Sequence, residues 1–540
     1  MLAKPMVFKT LFPLIALAMW AAYAPMTLLH WAAPRWARLA NARRVVGILA
    51  RGALKEPGPK QANPYFQPGD TRFSWEPGPC WSLGFAAENL TSGPAVRENI
   101  RGGRYQVAGY QNNVASSDIR DDLLARAVYL DDNTGRGGIL YAVADCVGLS
   151  NTDVRGIRAL AWDWARAAGI RSIQVAASHT HAGIDTVGIW QVPPFDGKDA
   201  DFQRLLVEQT AKALRAAYDN RRDGRLYHAA ADAGDMFKDT RPPEVIDKTI
   251  TRLRFAPQDP AAPGVYLVCA GCHPEIAGKR NSVISADFPA YAAEAIKEKT
   301  GAETMFIQGM EGGLITVRDL STVSREHGKG NVGYGLSIVK DYGAEFAGHV
   351  LGEGGLPSPE TELPPLLNFA GMEFELPLEN LVLLLGMKVG MLNHTVYRTR
   401  RRPYAYALTD EVGYLRLGGR EQSLDILITS GELAPELALG GFFGKEEAAL
   451  GEEYPRKPLY ETLRGYPFAS AQRAVFGLAN NFIGYVLPEN DFLLNKKRPY
   501  IEKAVDRFGR SHYEETNSAG PRAAGAIMEA FARLFGEVQV

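Results

Sequence analysis

Between residues 137 and 270 the chain alternates between two hydrophobic patterns. GGILYAVADCVGL (137–149), RSIQVAA (171–177), TITRLRF (249–255) and GVYLVCA (264–270) are short apolar, β-branched runs without helical spacing, and each predicts a strand. Between them, VRGIRALAWDWARAAG (154–169) and DFQRLLVEQTAKALRAAYD (201–219) space their apolar residues three and four apart, which predicts amphipathic helices. Asn151, Thr152 or Asp153 can cap the first helix, and Gly169 can end it. Strand–helix–strand order predicts an α/β fold, with central mixed sheet material covered by helices.

The same patterning divides the chain. Residues 10–34, TLFPLIALAMWAAYAPMTLLHWAAP, contain no Asp, Glu, Lys or Arg, and residues 1–34 read as an N-terminal membrane anchor or signal segment. Its length exceeds a signal-peptide core, and Pro25 after Ala22-Tyr23-Ala24 argues against cleavage. The expected location is therefore membrane-associated or exported. Residues 35–70 form a linker that ends in the Pro- and Gly-rich LKEPGPKQANPYFQPGD, and 71–540 form the main domain. A possible internal seam falls at GEGGLPSPETELPP (352–365). Beyond it LENLVLLLGMKVGML (378–392) is apolar but interrupted by Lys388, and is too short to span a bilayer, so it reads as a core element.

Composition narrows the function classes. The chain has 540 residues, with 60 Lys and Arg against 61 Asp and Glu. That balance leaves no global basic footprint, so a nucleic-acid partner is not expected. Its 4 cysteines are too few for a disulfide scaffold.

Candidate chemistry sits at predicted strand ends. In ASHTHAG (177–183), His179 and His181 would project from one face of extended backbone. Such a pair suits a divalent metal, or one metal ligand beside one acid–base group; a hydrogen-bonded loop pair is the alternative. CHPE (272–275) ends a second strand in the same way, and two such ends at one sheet edge would bring His179, His181 and His273 together. CAGCH (269–273) also has the form of a covalent haem site, with Cys269 and Cys272 as thioether donors and His273 as axial ligand.

ASHTHAGIDTVGIW resembles the HTHSG- or HTHAG-type signature of the neutral, non-lysosomal ceramidases and their bacterial relatives. The likeness continues in order. ARAVYLDDNTGRGGILYAVADCVGLS resembles the strand pair before that signature, and CAGCHPE falls where the family has a strand ending in His-Pro. ISADFPAYAAEAI, LITSGELAPELA, GLANNFIGYVLPENDF and SHYEETNSAGPRAAGAIMEAF resemble later family segments, so the match spans roughly 70–540.

The resemblance implies a neutral-ceramidase-like catalytic domain holding one zinc through His179, His273, Glu432 and Tyr485, and no haem. It implies that His181 faces the substrate carbonyl, that Tyr485 can relax its bond to the metal, and that Tyr513 and Asp287 contact substrate. Zinc with an open position acidifies bound water and polarises a carbonyl, which amide hydrolysis needs. Several positions depart from the family pattern. Its active-site serine falls on Ile315, with Thr316 one step away as the remaining hydroxyl; Ala182 replaces another serine, and Phe482 replaces a tyrosine. The chain stops at Val540, so the family's immunoglobulin-like C-terminal domain is not expected. Three function classes follow. The leading one is a zinc amidohydrolase acting on an N-acylated, lipid-like substrate. The second is a zinc hydrolase of an ester or small cyclic amide, and the third a catalytically inactive membrane-tethered binding protein.

Overall fold

The computed structural model describes residues 57–191, 196–279, 281–320, 336–353 and 359–539. The apolar segment 10–34 lies outside them, and no described helix is long and apolar enough to cross a membrane. Two sheets stack face to face. The larger is nine-stranded and mixed, built on β1 (Trp81–Asn89), β2 (Leu124–Asp131), β3 (Ile139–Ala144), β4 (Ser172–Ala177), β5 (Arg222–Asp232), β6 (Thr249–Pro257), β7 (Val265–Ala270) and β8 (Glu303–Gln308). Its order is β8-β7-β6-β5-β1-β2-β3-β4, and the short strand Thr361–Leu363 adds to β5. The β3/β4 and β7/β8 pairs are parallel and the others antiparallel. The smaller sheet runs β9 (Leu367–Pro377), β10 (Tyr406–Gly418), β11 (Ser423–Ile428), β12 (Gln472–Phe476).

Alternation within the strands explains the layers. On β7, Val265, Leu267 and Cys269 face the smaller sheet, while Tyr266, Val268 and Ala270 face the helices. On β10, Leu415 and Leu417 point into the inter-sheet layer and Tyr414 points outward. Strands buried on both faces carry apolar residues at every position, so their sequences lack the polar alternation of a half-exposed strand. Helices α1 (Asn151–Ala167), α2 (Ala200–Asp219), α3 (Phe288–Thr300) and α4 (Leu336–Leu351) cover the large sheet. On the far side α5 (Leu381–Val389) and α6 (Ala523–Glu537) pack with the small sheet. The whole is an α/β/β/α sandwich, which agrees with the sequence expectation of mixed sheets under helices.

Local details sharpen that expectation. The cap of α1 is Ser150, one residue before the predicted candidates, and Asp153 reciprocates from the third helical position as a capping box. Gly169, at φ +72°, ends the helix as read. The proline-rich stretch before residue 71 is fastened to the body: Asp70 pairs with Arg171 at 2.6 Å, and Asn63 donates to Glu373. In the stretch read as a possible seam, Thr361–Leu363 pairs with β5 of the large sheet, and the small sheet begins at Leu367. Helix α5 is the core element its sequence predicts on one face only. Leu384 and Val389 are buried, but Leu381 and Val382 stand 37% and 45% exposed, and the helix forms a cavity wall.

Neighbouring strands in a sheet are generally rotated by roughly 20–25°, a twist that can carry the edges of a large sheet towards each other. The two edges of the large sheet come together at one corner, where the Gln308 side-chain amide at the end of β8 donates to the Ser178 carbonyl after β4 at 3.3 Å. Residues 477–480, leaving β12, fill the gap between those edges. Gly477 N–H donates to the Gln308 carbonyl at 2.8 Å and Asn480 N–H to the Val175 carbonyl at 2.7 Å. At this corner the strand-end motifs meet.

Candidate metal centre

His179 follows β4 with φ +65°, a left-handed conformation that costs a non-glycine residue energy and clusters at functional sites. The strand has ended by then, so the two imidazoles converge through this turn and not through the expected extended backbone. His179 Nδ1 pairs with the Val147 carbonyl at 2.6 Å, and His273 Nδ1 with the Ile315 carbonyl at 2.6 Å. A carbonyl only accepts, so each Nδ1 carries the proton and each Nε2 turns a lone pair into the site. The two motifs are also tied directly, His181 N–H donating to the Pro274 carbonyl at 2.9 Å.

The Nε2 atoms of His179 and His181 lie 3.2 Å apart, and one ligand atom from each of His179, His181 and His273 falls within 4.8 Å of the others. Glu432 comes from a two-residue strand paired in parallel with Tyr485–Val486, in register Glu432 opposite Tyr485. That pairing sets the two predicted ligands side by side although they are distant in sequence. Glu432 Oε2 lies 3.3 Å from His273 Nε2 and 3.9 Å from His179 Nε2.

The donor set fits a divalent cation. His273 Nε2, Glu432 Oε2 and both oxygens of Glu311 are buried without a hydrogen-bond partner. Such atoms are costly unless something satisfies them, and a cation held between His273 Nε2 and Glu432 Oε2 would satisfy both. Electrostatics agree. Burial opposes a charge on His273, but the carboxylates of Glu311 and Glu432 outweigh it and push its pKa up to about 10. Burial drives His179 and His181 well below the ordinary imidazole value.

Above these residues opens a cavity of about 440 Å³, within the size range of small-molecule sites. His179, His181, Glu432 and Tyr485 line its floor; Trp190, Leu383, Met387 and Phe482 are among its apolar walls. Tyr513 stands 49% exposed and also lines the cavity. Two other predicted site residues lie elsewhere. Thr316 donates its hydroxyl to Glu275, and Asp287 caps α3 while accepting the Ala277 N–H at 2.9 Å. Neither lines the cavity. Ile315 sits in the core under α3 and α4, and only its backbone carbonyl reaches the site.

Cys269 and Cys272 are free, buried thiols on opposite sides of the large sheet. Side chains so divided cannot both reach one macrocycle.

Sequence reading missed Glu311 and the role of Glu275. Glu275 accepts the hydroxyls of Tyr110 and Thr316 and lies 3.6 Å from His181 Nδ1. Its signal was present, as the residue closing CHPE. Glu311 lies 3.9 Å from His179 Nε2 and is fully buried. Its only trace is a lone carboxylate among glycines, GMEGG, directly after an apolar strand.

No family model matches the chain, and no curated protein does. Solved structures do. A neutral ceramidase from Pseudomonas aeruginosa superposes with a TM-score of 0.59 at 14% identity, over 85% of this chain and 75% of that one. A ceramidase complexed with C2 gives 0.58 at 13%, over 84% and 75%. The chain has a ceramidase-like fold, carrying at its corner a buried three-histidine cluster able to hold a metal.

Proposed function

We propose that this chain is a zinc-dependent hydrolase that cleaves the amide bond of an N-acylated, lipid-like substrate. The observation that carries the reading is a set of buried, unpartnered nitrogen and carboxylate donors at the floor of an apolar cavity. His179, His273, Glu432 and Tyr485 would hold the zinc, which supplies Lewis acidity towards water and a carbonyl.

The protein residues do the rest. The apolar walls take an acyl chain and exclude water from its carbonyl end. His181 lies between floor and cavity with Glu275 behind its Nδ1, and so can present Nε2–H to the charge that develops on the carbonyl oxygen. Tyr513, half-exposed on the cavity wall, meets the polar end of the substrate. Thr316 acts through Glu275, because its hydroxyl is already donated there. The serine position is Ile315, so this reading needs no hydroxyl nucleophile from the protein. The fold neighbours are ceramidases, which supports an N-acyl sphingoid base as the first substrate to try.

The test has two arms. Elemental analysis of the purified chain should find one zinc, and His179→Ala or His273→Ala should lower zinc affinity by more than the ~10–100-fold typical of losing an outer-shell partner. N-acyl sphingoid bases, N-acyl amino acids, simple amides and matched esters are then offered with and without chelator. Chelator-sensitive cleavage of an N-acyl amide is expected. Cleavage confined to esters would move the activity to the second class, and stoichiometric zinc without any cleavage would favour a binding protein.

A further inference from the structure

Glu311 is the least explained charged group in the molecule. It is completely buried, and neither carboxylate oxygen has a hydrogen-bond donor. Its imidazole neighbours cannot supply one. Oε1 is 3.9 Å from His179 Nε2 and Oε2 is 4.0 Å from His273 Nδ1, and both Nδ1 protons are already given to carbonyls. An ionised carboxylate in such a place costs several kcal/mol, and burial pushes the Glu311 carboxyl well above its usual range; a bound cation is what would hold it ionised.

Its position is built and not incidental. Gly309 N–H donates to the Ala270 carbonyl at 3.0 Å, and Gly312 N–H to the Leu433 carbonyl at 3.0 Å. A Cβ on Gly271 would lie 2.0 Å from the Met310 carbonyl oxygen, and one on Gly312 would lie 2.3 Å from that of Glu432. Glycines therefore press the Glu311 turn against both β7 and the strand that carries Glu432.

We propose that Glu311 is a further direct ligand of the metal centre, which raises the coordination number above four and opens the site to Mn²⁺ and Co²⁺ besides Zn²⁺. This rests on the metal-centre reading above. Donors around one ion at ~2.0–2.2 Å can stand no more than ~4.4 Å apart. The Glu311–His179, Glu432–His179 and Glu432–His273 separations of 3.9, 3.9 and 3.3 Å satisfy that limit. Two carboxylates with neutral imidazoles cancel a divalent charge, whereas Glu432 alone leaves it half neutralised. Glu311 and His273 do not line the cavity, so this ligand binds from beneath and leaves the substrate side open. Extra oxygen donors shift preference from closed tetrahedral zinc towards harder ions of higher coordination.

The experiment uses the full chain, stripped with chelator and reloaded with Zn²⁺, Co²⁺ or Mn²⁺, as wild type, Glu311→Gln and Glu311→Ala. Wild type should take up one Co²⁺ with the weak visible bands of five or more ligands. Both variants should shift towards the intense bands of tetrahedral Co²⁺, lose at least ~100-fold in Mn²⁺ affinity and keep part of their Zn²⁺ affinity. Metal-free Glu311→Gln should melt no lower than metal-free wild type, because Gln keeps the size of the side chain and neither carboxylate oxygen has a hydrogen bond to lose. A lower melting point in the metal-free variant would assign Glu311 a structural role and overturn the inference. So would unchanged spectra and affinities, which would leave the hydrolase reading standing. A wild type that takes up no stoichiometric metal would overturn both.

Discussion

At the residue scale, the Glu275 carboxylate sits behind His181 while gathering the hydroxyls of Tyr110 and Thr316. Groups of this kind orient a functional imidazole without touching substrate. Glu275→Ala should therefore keep its metal by elemental analysis and lose ~10–100-fold in turnover. A second residue bears on pH. Burial pushes the carboxyl of Asp410 up to about 7, against hydrogen bonds from Ser430 and Asn481. An unfolded Asp titrates near ~3.9, so the folded chain holds a proton that the unfolded chain releases. Stability from this group is full below ~4 and is lost as pH rises through about 7. Asp410→Asn cannot ionise. Thermal melts should show its stability relative to wild type climbing between pH 4 and 8; parallel curves would count against the shift.

At the element scale, the turn 309–313 is the device that assembles the centre. Gly312→Ala would set a Cβ 2.3 Å from the Glu432 carbonyl oxygen, and the turn must lift away. The expected result is at least a 10-fold loss of metal affinity with ~1–3 kcal/mol of destabilisation, read by metal titration and denaturant unfolding. Gly58→Ala, with nothing within 4 Å of its Cβ, is the matched control. The same turn shows what was legible in the sequence. His179, His181 and His273 could be read because each ends a strand whose pattern is local. Glu432 and Tyr485 needed the family resemblance, since their pairing joins segments that no short window contains. Glu311 could not be read, because its burial depends on close approaches between backbones far apart in sequence. Helix α5 was legible on its core face only, for a related reason. An apolar run looks the same whether it faces a core or an apolar cavity, and only the tertiary packing distinguishes them.

At the scale of the whole molecule, the strand patterns predicted an α/β fold, but not that two sheets would share one inner layer. Strands covered on both faces are uniformly apolar, and such runs do not say whether sheet or helix lies on the other side. Nor did they predict that the large sheet would coil until its two edges met. That closure has a consequence during synthesis. The large sheet is complete once Thr361–Leu363 has emerged, yet 477–480, which bridge its outer strands, are made more than a hundred residues later. Until then both edges present unpaired backbone, a template for pairing with another chain. A nascent or truncated protein ending near residue 365 should bind metal far more weakly and should self-associate in sedimentation, because it lacks its bridge, Glu432 and Tyr485. Pulse-labelled hydrogen exchange on refolding full-length chain should find protection in the body of the large sheet before the β4 and β8 edges. Metal uptake at the proposed centre would then report that residues 432–485 have been made and have docked against the large sheet, a checkpoint on assembly of the second sheet.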